Sequence, residues 1–415
     1  MRTVIWLILL FAVAVVAALT LGSNDGLVSV YWNGWRLDVS LNLFLLALVG
    51  SCFALVTAIQ TINSLTTLPR RAREWRLQQR ERGAQLALRE ALGEFFGARY
   101  SRAQKAAQRA LSIQSQTPEL SQDAGFLTLG HLLAAHSAHR LQDRRGRDEQ
   151  LQQAFEWSSR STQGKAQAEG ARLLAAEWAL DDRDAPRALA LLGELSPGVA
   201  RRTQALRLKL QAARLAKQSL EALRTARLLA KHQGFSKVAA TGLLRSLAFE
   251  ALEGTRDADQ LRSVWMQLDA ADRRDVFVAA RAAQCAAQLG APEDGRGWLR
   301  PFWDDVNELA ADERAALAEA LVPTLLGVGP EWLQRLESAV QRQPRDMMLV
   351  YALGQTLAER QLWGKARLML EQVCDDRNLP ISARRRSWLT LAQLAQRDGD
   401  MERRARCHEA AAMLA

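Results

Sequence analysis

The residues best suited to chemistry are five histidines, three of which lie within nine positions. The segment HLLAAHSAH holds His131, His136 and His139, whereas His232 and His408 stand alone. On a helix, His136 and His139 neighbour each other at i, i+3, and His131 shares a stripe with His139. Imidazoles in such positions could bind a metal or a haem iron. No acidic partner lies nearby and RLQDRRGR follows, so a polar helix face is the favoured interpretation; a haem ligand at His131 or His139 remains the alternative.

Carboxylates and glycines are also grouped in ways that resemble catalytic or phosphate-binding motifs. The run DDRD places carboxylates between two apolar helical segments, where we expect a turn. GVGPEW and GRGWLR begin like phosphate loops, but neither completes G-x-G-x-x-G and no strand is predicted before them. Walker, zinc-protease and nucleophile-elbow motifs are missing from the sequence. The sequence therefore predicts no enzyme: no catalytic residue, no metal ligand, no cofactor and no identified cofactor-binding residue.

The four cysteines are spread along the chain and form no paired ligand spacing. Cys52 falls within an apolar segment, and Cys285, Cys374 and Cys407 belong to the part that we place in the reducing cytoplasm. Unpaired and mostly buried thiols are the expected state of cysteines in that compartment.

The first 65 residues are far more apolar than the rest. Residues 4–21 and 41–62 are two uncharged runs, each near the length that crosses the hydrocarbon core as a helix. A cleaved signal peptide is the alternative for the first run, but that run is long for one, no clean cleavage site follows, and a second run comes soon after. The sequence thus predicts a two-helix transmembrane hairpin in residues 1–65.

Charge on the two sides of the second run predicts its orientation. The connecting loop GSNDGLVSVYWNGWRLDVS has one arginine, whereas PRRAREWRLQQRER, after the second run, has six. Because basic residues remain on the cytoplasmic side, we expect a multi-pass inner-membrane protein with both termini and the helical domain in the cytoplasm. Tyr31, Trp32 and Trp35 of the loop suit the outer membrane interface.

The net charge of +10 lies largely beside the membrane. Residues 70–109 contain eleven basic and four acidic residues, and so carry +7 of it. Such a stretch is attracted to anionic headgroups at about 1 kcal/mol per basic residue, so membrane lipids are the expected partners of residues 1–82. The sequence has no zinc-finger spacing or RNP-like strand, and we predict no nucleic-acid binding.

Residues beyond 83 have helical periodicity with frequent breaks. No stretch outside the short outer loop alternates with period two, and the segments between breaks are mostly 12 to 20 residues long. Pro69, after the cap candidates Thr66 and Thr67, suits the start of a helix. We predict an all-α protein: the transmembrane hairpin, a basic segment at 66–83, and an α-solenoid of helix pairs at 84–415.

The clearest helix pair is predicted at 347–380. Its apolar and small residues follow the spacing of a tetratricopeptide unit, with Trp363 at the usual aromatic position: Val350, Leu353, Gly354, Leu357, Ala366, Leu370 and Val373. A second unit at 385–415 uses Trp388, Leu391, Ala392, Ala395, Gly399 and Met401, but Arg404 stands where a small residue is expected. We interpret it as a more polar terminal repeat. Fainter copies contain Tyr100, Ala103, Ala107 and Ala110; Phe126, Leu129, Gly130 and Leu133; and Ala185, Ala188, Leu192 and Leu195. Generic amphipathic helices are the alternative for these.

The order of these features resembles the HemY-type inner-membrane tetratricopeptide proteins of proteobacteria. The likeness includes the loop between the apolar runs, the arginine-rich segment from Arg70, LRSVWMQL around Trp265, and LVPTLLGVGPEWLQRLESAVQRQP leading into LGQTLAERQLWGKA. The resemblance implies a protein that assists late haem biosynthesis at the cytoplasmic face, and it supplies no catalytic residues. A flavin-dependent oxidase has also borne this name, but its dinucleotide fingerprint is missing here.

The favoured interpretation is a non-catalytic, membrane-anchored scaffold. Its concave repeat surface would bind protein partners, with late haem-pathway enzymes as the candidates that the resemblance implies. A porphyrin or haem carrier, and a general envelope-assembly scaffold unrelated to haem, are the alternatives.

Overall fold

The computed structural model describes Val13, Ala17 and residues 26–160, 164–232 and 236–414, with the backbone alone for residues 63–70. The described residues form two compact units that divide at residues 161 and 162. A short hairpin of strands β1 (Leu27–Trp32) and β2 (Trp35–Ser40) precedes the helices of the first unit. These helices are α1 (Leu41–Phe96), α2 (Tyr100–Ser115), α3 (Ala124–Arg140) and α4 (Arg144–Ser159).

The second unit is helical throughout its described residues. Its elements are α5 (Gly164–Asp181), α6 (Ala185–Gly193), α7 (Pro197–Ala200), α8 (Thr203–Leu215), α9 (Ser219–Lys231), α10 (Lys237–Glu253), α11 (Ala258–Gln267), α12 (Ala270–Arg273), α13 (Val276–Gln288), α14 (Pro292–Asp304), α15 (Ala311–Leu321), α16 (Pro330–Arg342), α17 (Met347–Glu359), α18 (Trp363–Asp375), α19 (Ile381–Arg397) and α20 (Met401–Ala412). Short 3₁₀ turns at Val306–Glu308 and Val322–Thr324 flank α15.

The tight turns between paired helices use one recurring backbone geometry. After α17, Gln361 has a φ of 64°, and the next amide, Leu362 N, donates to Leu357 O at 2.9 Å. A left-handed residue and a bond back over five positions end a helix and reverse the chain. The same pair of features recurs in both units, with the left-handed residue at Gln142, Arg183, Lys217, Gly290 and Gly399. This repeated turn is the structural unit of the predicted helix pairs.

The predicted packing of the 347–380 pair is confirmed. Its seven interior residues are all buried, and Leu370 and Val373 are inaccessible to solvent. A Cβ added to Gly354 would lie 2.8 Å from Leu370 Cδ2, so α17 and α18 approach too closely there for a side chain. Helix α20 buries only Cys407 and Ala411, as expected of a more polar terminal repeat.

The fainter repeat copies are mostly buried as well. The alanines of α2 are buried, and so are Ala185, Ala188 and Leu192 of α6 and Leu195 in the turn that follows it. Leu129 is the exception, with 49% of its surface exposed, because it lies on the outer side of α3. The prediction that Leu129 faces the interior was therefore wrong.

Ion pairs join one helix pair of the second unit to the next. Arg262 on α11 lies 2.7 Å from Asp294 on α14, and Arg335 on α16 lies 3.0 Å from Asp304 at the end of α14. The two residues of each ion pair are about one repeat apart in sequence, because the ion pair connects the second helix of one helix pair to the second helix of the next. Exposed pairs of this kind contribute little stability, typically 0.2–1 kcal/mol, so the buried apolar residues carry the packing.

The N-terminal region departs from the sequence predictions in two places. The outer loop is a β-hairpin with a tight turn at Asn33 and Gly34, whose φ values of 44° and 86° are those of a type I′ turn. Helix α1 runs without a break from Leu41 to Phe96, so the predicted helix start beside Pro69 was wrong. Strong helix formers follow the proline, and the helix continues through it at a local cost of about 3 kcal/mol.

One helical segment of the described residues, Leu41–Ile62, is long and apolar enough to cross a membrane. Its bounds agree with those predicted, and its mean hydropathy is 2.2. The predicted first span, residues 4–21, lies outside the described residues apart from Val13 and Ala17. The two-helix transmembrane hairpin therefore stays a prediction.

Candidate functional site

The three clustered histidines of α3 contact different neighbours and share no common point. His131 Nδ1 lies 2.9 Å from Gln150 Oε1 on α4, and because a carbonyl oxygen only accepts, Nδ1 carries the proton. The His136 ring packs on Phe95 of α1, with 4.6 Å between centroids. His139 Nδ1 accepts from Arg147 Nη1 at 3.3 Å. The candidate haem ligands His131 and His139 are thus engaged in helix packing.

Burial decides the ionisation of this cluster. Desolvation lowers the pKa of His136 to about 4, with smaller contributions from Arg140 and His139, and also lowers the pKa of His131. Both rings are therefore neutral at physiological pH. Within the described residues, no group of three or more His, Cys, Asp or Glu side chains could hold a metal ion.

The cysteines of the second unit are buried in its core. Burial raises the pKa of Cys374 to about 12, and it raises the pKa values of Cys285 and Cys407 as well. A buried thiol that stays protonated is a poor nucleophile and a poor metal ligand. These residues therefore act in packing.

The glycine and carboxylate motifs also have structural roles. Asp184 of DDRD caps α6 by accepting from Arg187 N at 3.1 Å. In GRGWLR, Gly295 packs against the backbone of Ala283, and the buried Arg296 donates from Nη1 to the carbonyl oxygens of Thr324 and Leu326. Arg296 thereby fixes the turn after α15.

A polar pocket crosses the first helices of four successive pairs at the C-terminal end of the second unit. It has a volume of about 260 Å³. The pocket lies on the surface formed by these four first helices, α13, α15, α17 and α19, which we name the first-helix face. The pocket is lined by Gln284, Gln288, Glu319, Pro323, Tyr351, Ser382 and Arg386.

Tyr351 forms the floor of the pocket. Only 3% of its surface is exposed, and burial raises the pKa of its phenol to about 12, with Arg386 opposing and Glu319 adding to the shift. Its hydroxyl therefore stays protonated and can donate a hydrogen bond to a ligand at any physiological pH. Ser382 donates to Glu319 Oε1 at 3.0 Å, which holds one wall of the pocket in place.

Gln355 lies one turn beyond Tyr351 and is 7% exposed. In the described part of the chain, only one of the two polar atoms of its side-chain amide has a hydrogen-bond partner. Its Oε1 accepts from the Thr390 hydroxyl at 3.0 Å, but Nε2 has no hydrogen-bond partner within the described residues. A buried donor left without an acceptor costs about 1–3 kcal/mol. Arg386, on the adjacent helix, is exposed and forms no ion pair in the described chain. Arg386 is therefore available to an added acceptor, whereas the Gln355 amide is enclosed beneath the pocket residues.

These polar residues recur at equivalent positions. Gln284, Glu319, Gln355 and Thr390 stand eight or nine residues into their helices, at intervals of 35 or 36 residues. They form a ladder of amide, carboxylate and hydroxyl groups across α13, α15, α17 and α19. Such a row can pair with the alternating donors and acceptors of an extended peptide.

A larger pocket of about 670 Å³ lies at the loops before α15, α17 and α19. Its main charged groups satisfy each other, because Arg314 Nε lies 2.6 Å from Asp346 Oδ2. Asp346 also caps α17 by accepting from Met348 N and Leu349 N. This pocket is therefore held by structural contacts, and the ladder is the better candidate.

Tyr351, Gln355 and Arg386 belong to no motif that the sequence of a single repeat displays. Their signal lies in the alignment of successive repeats, where a polar residue recurs next to the interior positions. That alignment depends on turn lengths that vary from pair to pair, and the turns are clear only in the structure.

Comparison with known proteins supports the resemblance drawn from the sequence. Residues 26–142, which span the β-hairpin and helices α1 to α3, match the family described as HemY protein N-terminus. This match confirms the HemY-type resemblance for that part of the chain. No curated protein matches the sequence.

Two solved structures are similar to this chain at low scores. One is the crystal structure of the APC/C hetero-tetramer Cut9–Hcn1, with 15% identity and a TM-score of 0.28 over 80% of this chain and 66% of that one. The other is the structure of Naa15/Naa10 bound to HypK-THB, with 11% identity and a TM-score of 0.22 over 75% and 56%. The chain thus spans less than two thirds of the length of either.

Proposed function

We propose that this chain is a membrane-anchored, non-catalytic helical repeat protein that binds a partner protein on its first-helix face and assists late haem biosynthesis. The polar pocket above Tyr351, with the exposed Arg386 in its lining, is the observation that carries the binding role. The HemY-type match supports the link to haem biosynthesis. Leu41–Ile62 supports the anchor, and residues 1–82 are proposed to contact lipid.

The chemistry of the first-helix face favours a peptide segment as its ligand. Tyr351 offers a neutral donor, and Arg386 offers a charged one that suits a carboxylate. Glu319 offers an acceptor on the other side of the pocket. Within the described pocket the Ser382 hydroxyl donates to Glu319 Oε1, and no histidine, lysine or cysteine lines the pocket; these groups suit the holding of a ligand.

Anchoring would add to weak contacts without new chemistry. A protein held at the membrane meets membrane-bound partners at a raised effective concentration. In the proposed arrangement the protein is an inner-membrane protein with its helical units in the cytoplasm, where late haem-pathway enzymes are candidate partners.

The binding role is tested with one charge reversal and a matched control. Arg386→Glu places a carboxylate beside Glu319, whereas Arg385→Glu makes the same change at an exposed neighbour outside the pocket. In intact, detergent-extracted protein, we expect proteins that co-purify with the wild type to be lost from Arg386→Glu and kept by Arg385→Glu. Equal retention by both variants would remove the first-helix face from the proposal.

The haem assignment is tested separately by profiling porphyrins in cells. Deletion of the gene should shift the balance of porphyrin intermediates, and Arg386→Glu should reproduce that shift where Arg385→Glu restores the wild-type profile. An unchanged profile in the deletion strain would leave a scaffold unrelated to haem. Turnover of a porphyrin by the purified protein would contradict the non-catalytic role.

The carrier alternative makes a different prediction. A haem or porphyrin carrier would give a saturable spectral titration with the purified protein. The packing of His131 and His139 against α4 speaks against an imidazole ligand in α3, and we expect no such saturable change.

A further inference from the structure

The β-hairpin before α1 has one wholly apolar face. The strands pair antiparallel with Leu27 opposite Ser40 and Trp32 opposite Trp35, so alternate residues share a side. Three cross-strand pairs lie on the same side: Val28 with Val39, Val30 with Leu37, and Trp32 with Trp35. Six apolar side chains therefore form a continuous strip along the hairpin, which we name the apolar strip.

The opposite face is polar along most of its length, with Leu27 at its base as the apolar exception. Ser29 donates to Asp38 Oδ1, Arg36 Nε lies 3.0 Å from the same carboxylate oxygen, and the Arg36 guanidinium lies over the Tyr31 ring. Tyr31 thus lies on the side away from the two tryptophans. The three aromatic residues of the hairpin do not act as one group.

Most of the apolar strip is exposed among the described residues, and Val28 and Val39 at its base are partly buried. Trp32 and Trp35 are 80% and 82% exposed, and Leu37 is 63% exposed. A two-stranded hairpin is at best marginally stable alone in water, and large exposed apolar surfaces mark interaction sites. The strip therefore requires a partner.

The junction with α1 identifies that partner. Ser40 ends β2 and caps α1, and Leu41 N donates to Gly26 O at 2.9 Å. The open end of the hairpin, where β1 begins and β2 ends, therefore lies at Leu41, the first residue of the apolar segment Leu41–Ile62. The base of the hairpin must then lie at the membrane surface if that segment spans the bilayer.

The dimensions of the interface decide how the hairpin is oriented. Six residues per strand extend about 20 Å, whereas the interfacial layer on each side of the hydrocarbon core is only about 5–8 Å thick. An upright hairpin would hold both tryptophans in water, beyond that layer. A hairpin lying flat would place the whole apolar strip within the layer, where tryptophan is favoured.

We infer that the hairpin lies flat on the bilayer surface beside Leu41, with the apolar strip in the interfacial layer and Ser29, Arg36 and Asp38 in water. The partner is a lipid surface. This inference rests on the proposed membrane anchor, and it makes the hairpin a second membrane contact at right angles to the span.

The inference is tested by spin labels on the intact protein in vesicles of phosphatidylcholine and phosphatidylglycerol. Single cysteines replace Val30 or Leu37 on the strip and Ser29 or Arg36 on the polar face, in a Cys52→Ser background. Collisions with oxygen report lipid, and collisions with a water-soluble nickel chelate report water. We expect the oxygen-to-nickel ratio to be several-fold higher for Val30→Cys and Leu37→Cys than for Ser29→Cys and Arg36→Cys.

Two outcomes would overturn the inference, and a further label separates it from the anchor. Nickel access at all four positions would mean that the hairpin stands in water, and low access of both reagents at the strip would mean that protein covers it. The native Cys52, exposed within the apolar segment, is labelled in a parallel sample. Nickel access at Cys52 would remove the anchor itself, whereas a lipid-exposed Cys52 with a hydrated strip would remove the flat hairpin alone.

Discussion

Replacement of Gly354 by alanine tests how closely α17 and α18 pack. The added Cβ would lie 2.8 Å from Leu370 Cδ2, 3.0 Å from its Cγ and 3.3 Å from Met369 Cβ. Leu370 is completely buried and cannot turn away into solvent. Overpacking of this kind costs about 1–3 kcal/mol.

A matched glycine separates this contact from the backbone effect. Gly297 lies in the middle of α14 with nothing within 4 Å of an added Cβ. In a helix interior, alanine is favoured over glycine by about 0.8–1.0 kcal/mol. Gly297→Ala should therefore gain about 1 kcal/mol, and Gly354→Ala should lie between no change and a loss of about 2 kcal/mol.

Hydrogen exchange of the intact protein in detergent measures both effects locally, because protection reports the free energy of local opening. Peptides from 347–359 and 292–304 are compared with the wild type. The two variants should differ by about 1–3 kcal/mol, which corresponds to a factor of about five to about 150 in protection. Equal gains in protection for the two variants would refute the close approach of α17 and α18.

Three further predictions address other parts of the chain. Arg296→Met should lower the protection of residues 322–329 by about 2–4 kcal/mol, because two carbonyl groups lose a buried charged donor. Arg300→Met, at an exposed position, should leave that protection unchanged. Equal protection in the two variants would mean that Arg296 does not hold this turn. His136 has its pKa lowered to about 4 from 6.5 by burial, so its contribution to stability is present above pH 6.5 and is lost as pH falls towards 4. Protection of 124–140 should fall in that window, less steeply in His136→Phe, and an identical pH profile in the variant would assign the effect elsewhere. A reporter active only outside the cytoplasm should be active after Asn33 and silent after Gly83; the reverse pattern would invert the topology.

The interior of the 347–380 pair could be predicted because its residues obey two constraints at once. Val350, Leu353 and Leu357 follow the helical period, and Gly354 is small where two helices meet. Burial tolerates few alternatives at such positions, so a single sequence reveals them. The helical architecture of the described residues beyond the hairpin was predictable for the same reason.

The hairpin had a clear but short signal. Asn33 and Gly34 form the dipeptide preferred in type I′ turns, and the residues on either side alternate in polarity. The loop of nineteen residues was the exception in the prediction that no stretch alternates with period two, but so short an alternation between two apolar runs did not suffice to predict a hairpin. The strand pairing then separated Tyr31 from Trp32 and Trp35, which composition cannot do.

The polar ladder was beyond the sequence analysis for a physical reason. Gln355 is buried and Thr390 is half-buried, but both are polar, and one repeat alone gives polar residues no recognisable pattern. Pairing of the Gln355 amide with Thr390 depends on how α17 and α19 align, and that alignment follows from the intervening turns. The three histidines are compact in sequence and lie together on α3, but their side chains contact different neighbours, Gln150 and Arg147 on α4 and Phe95 on α1.

The uninterrupted helix α1 has a consequence for the geometry of anything bound to the first unit. Ile62, the end of the apolar segment, and Ala84, the first buried alanine of the helical unit, are twenty-two residue steps apart. At 1.5 Å per residue they form a stalk of about 33 Å, and at 3.6 residues per turn each one also sets an angle of about 100°. In the anchored state, this rigid stalk therefore fixes both the height of the first unit above the bilayer and the direction in which that unit faces. A change of one residue in its length would leave the height almost unaltered and turn the unit through more than a quarter of a circle.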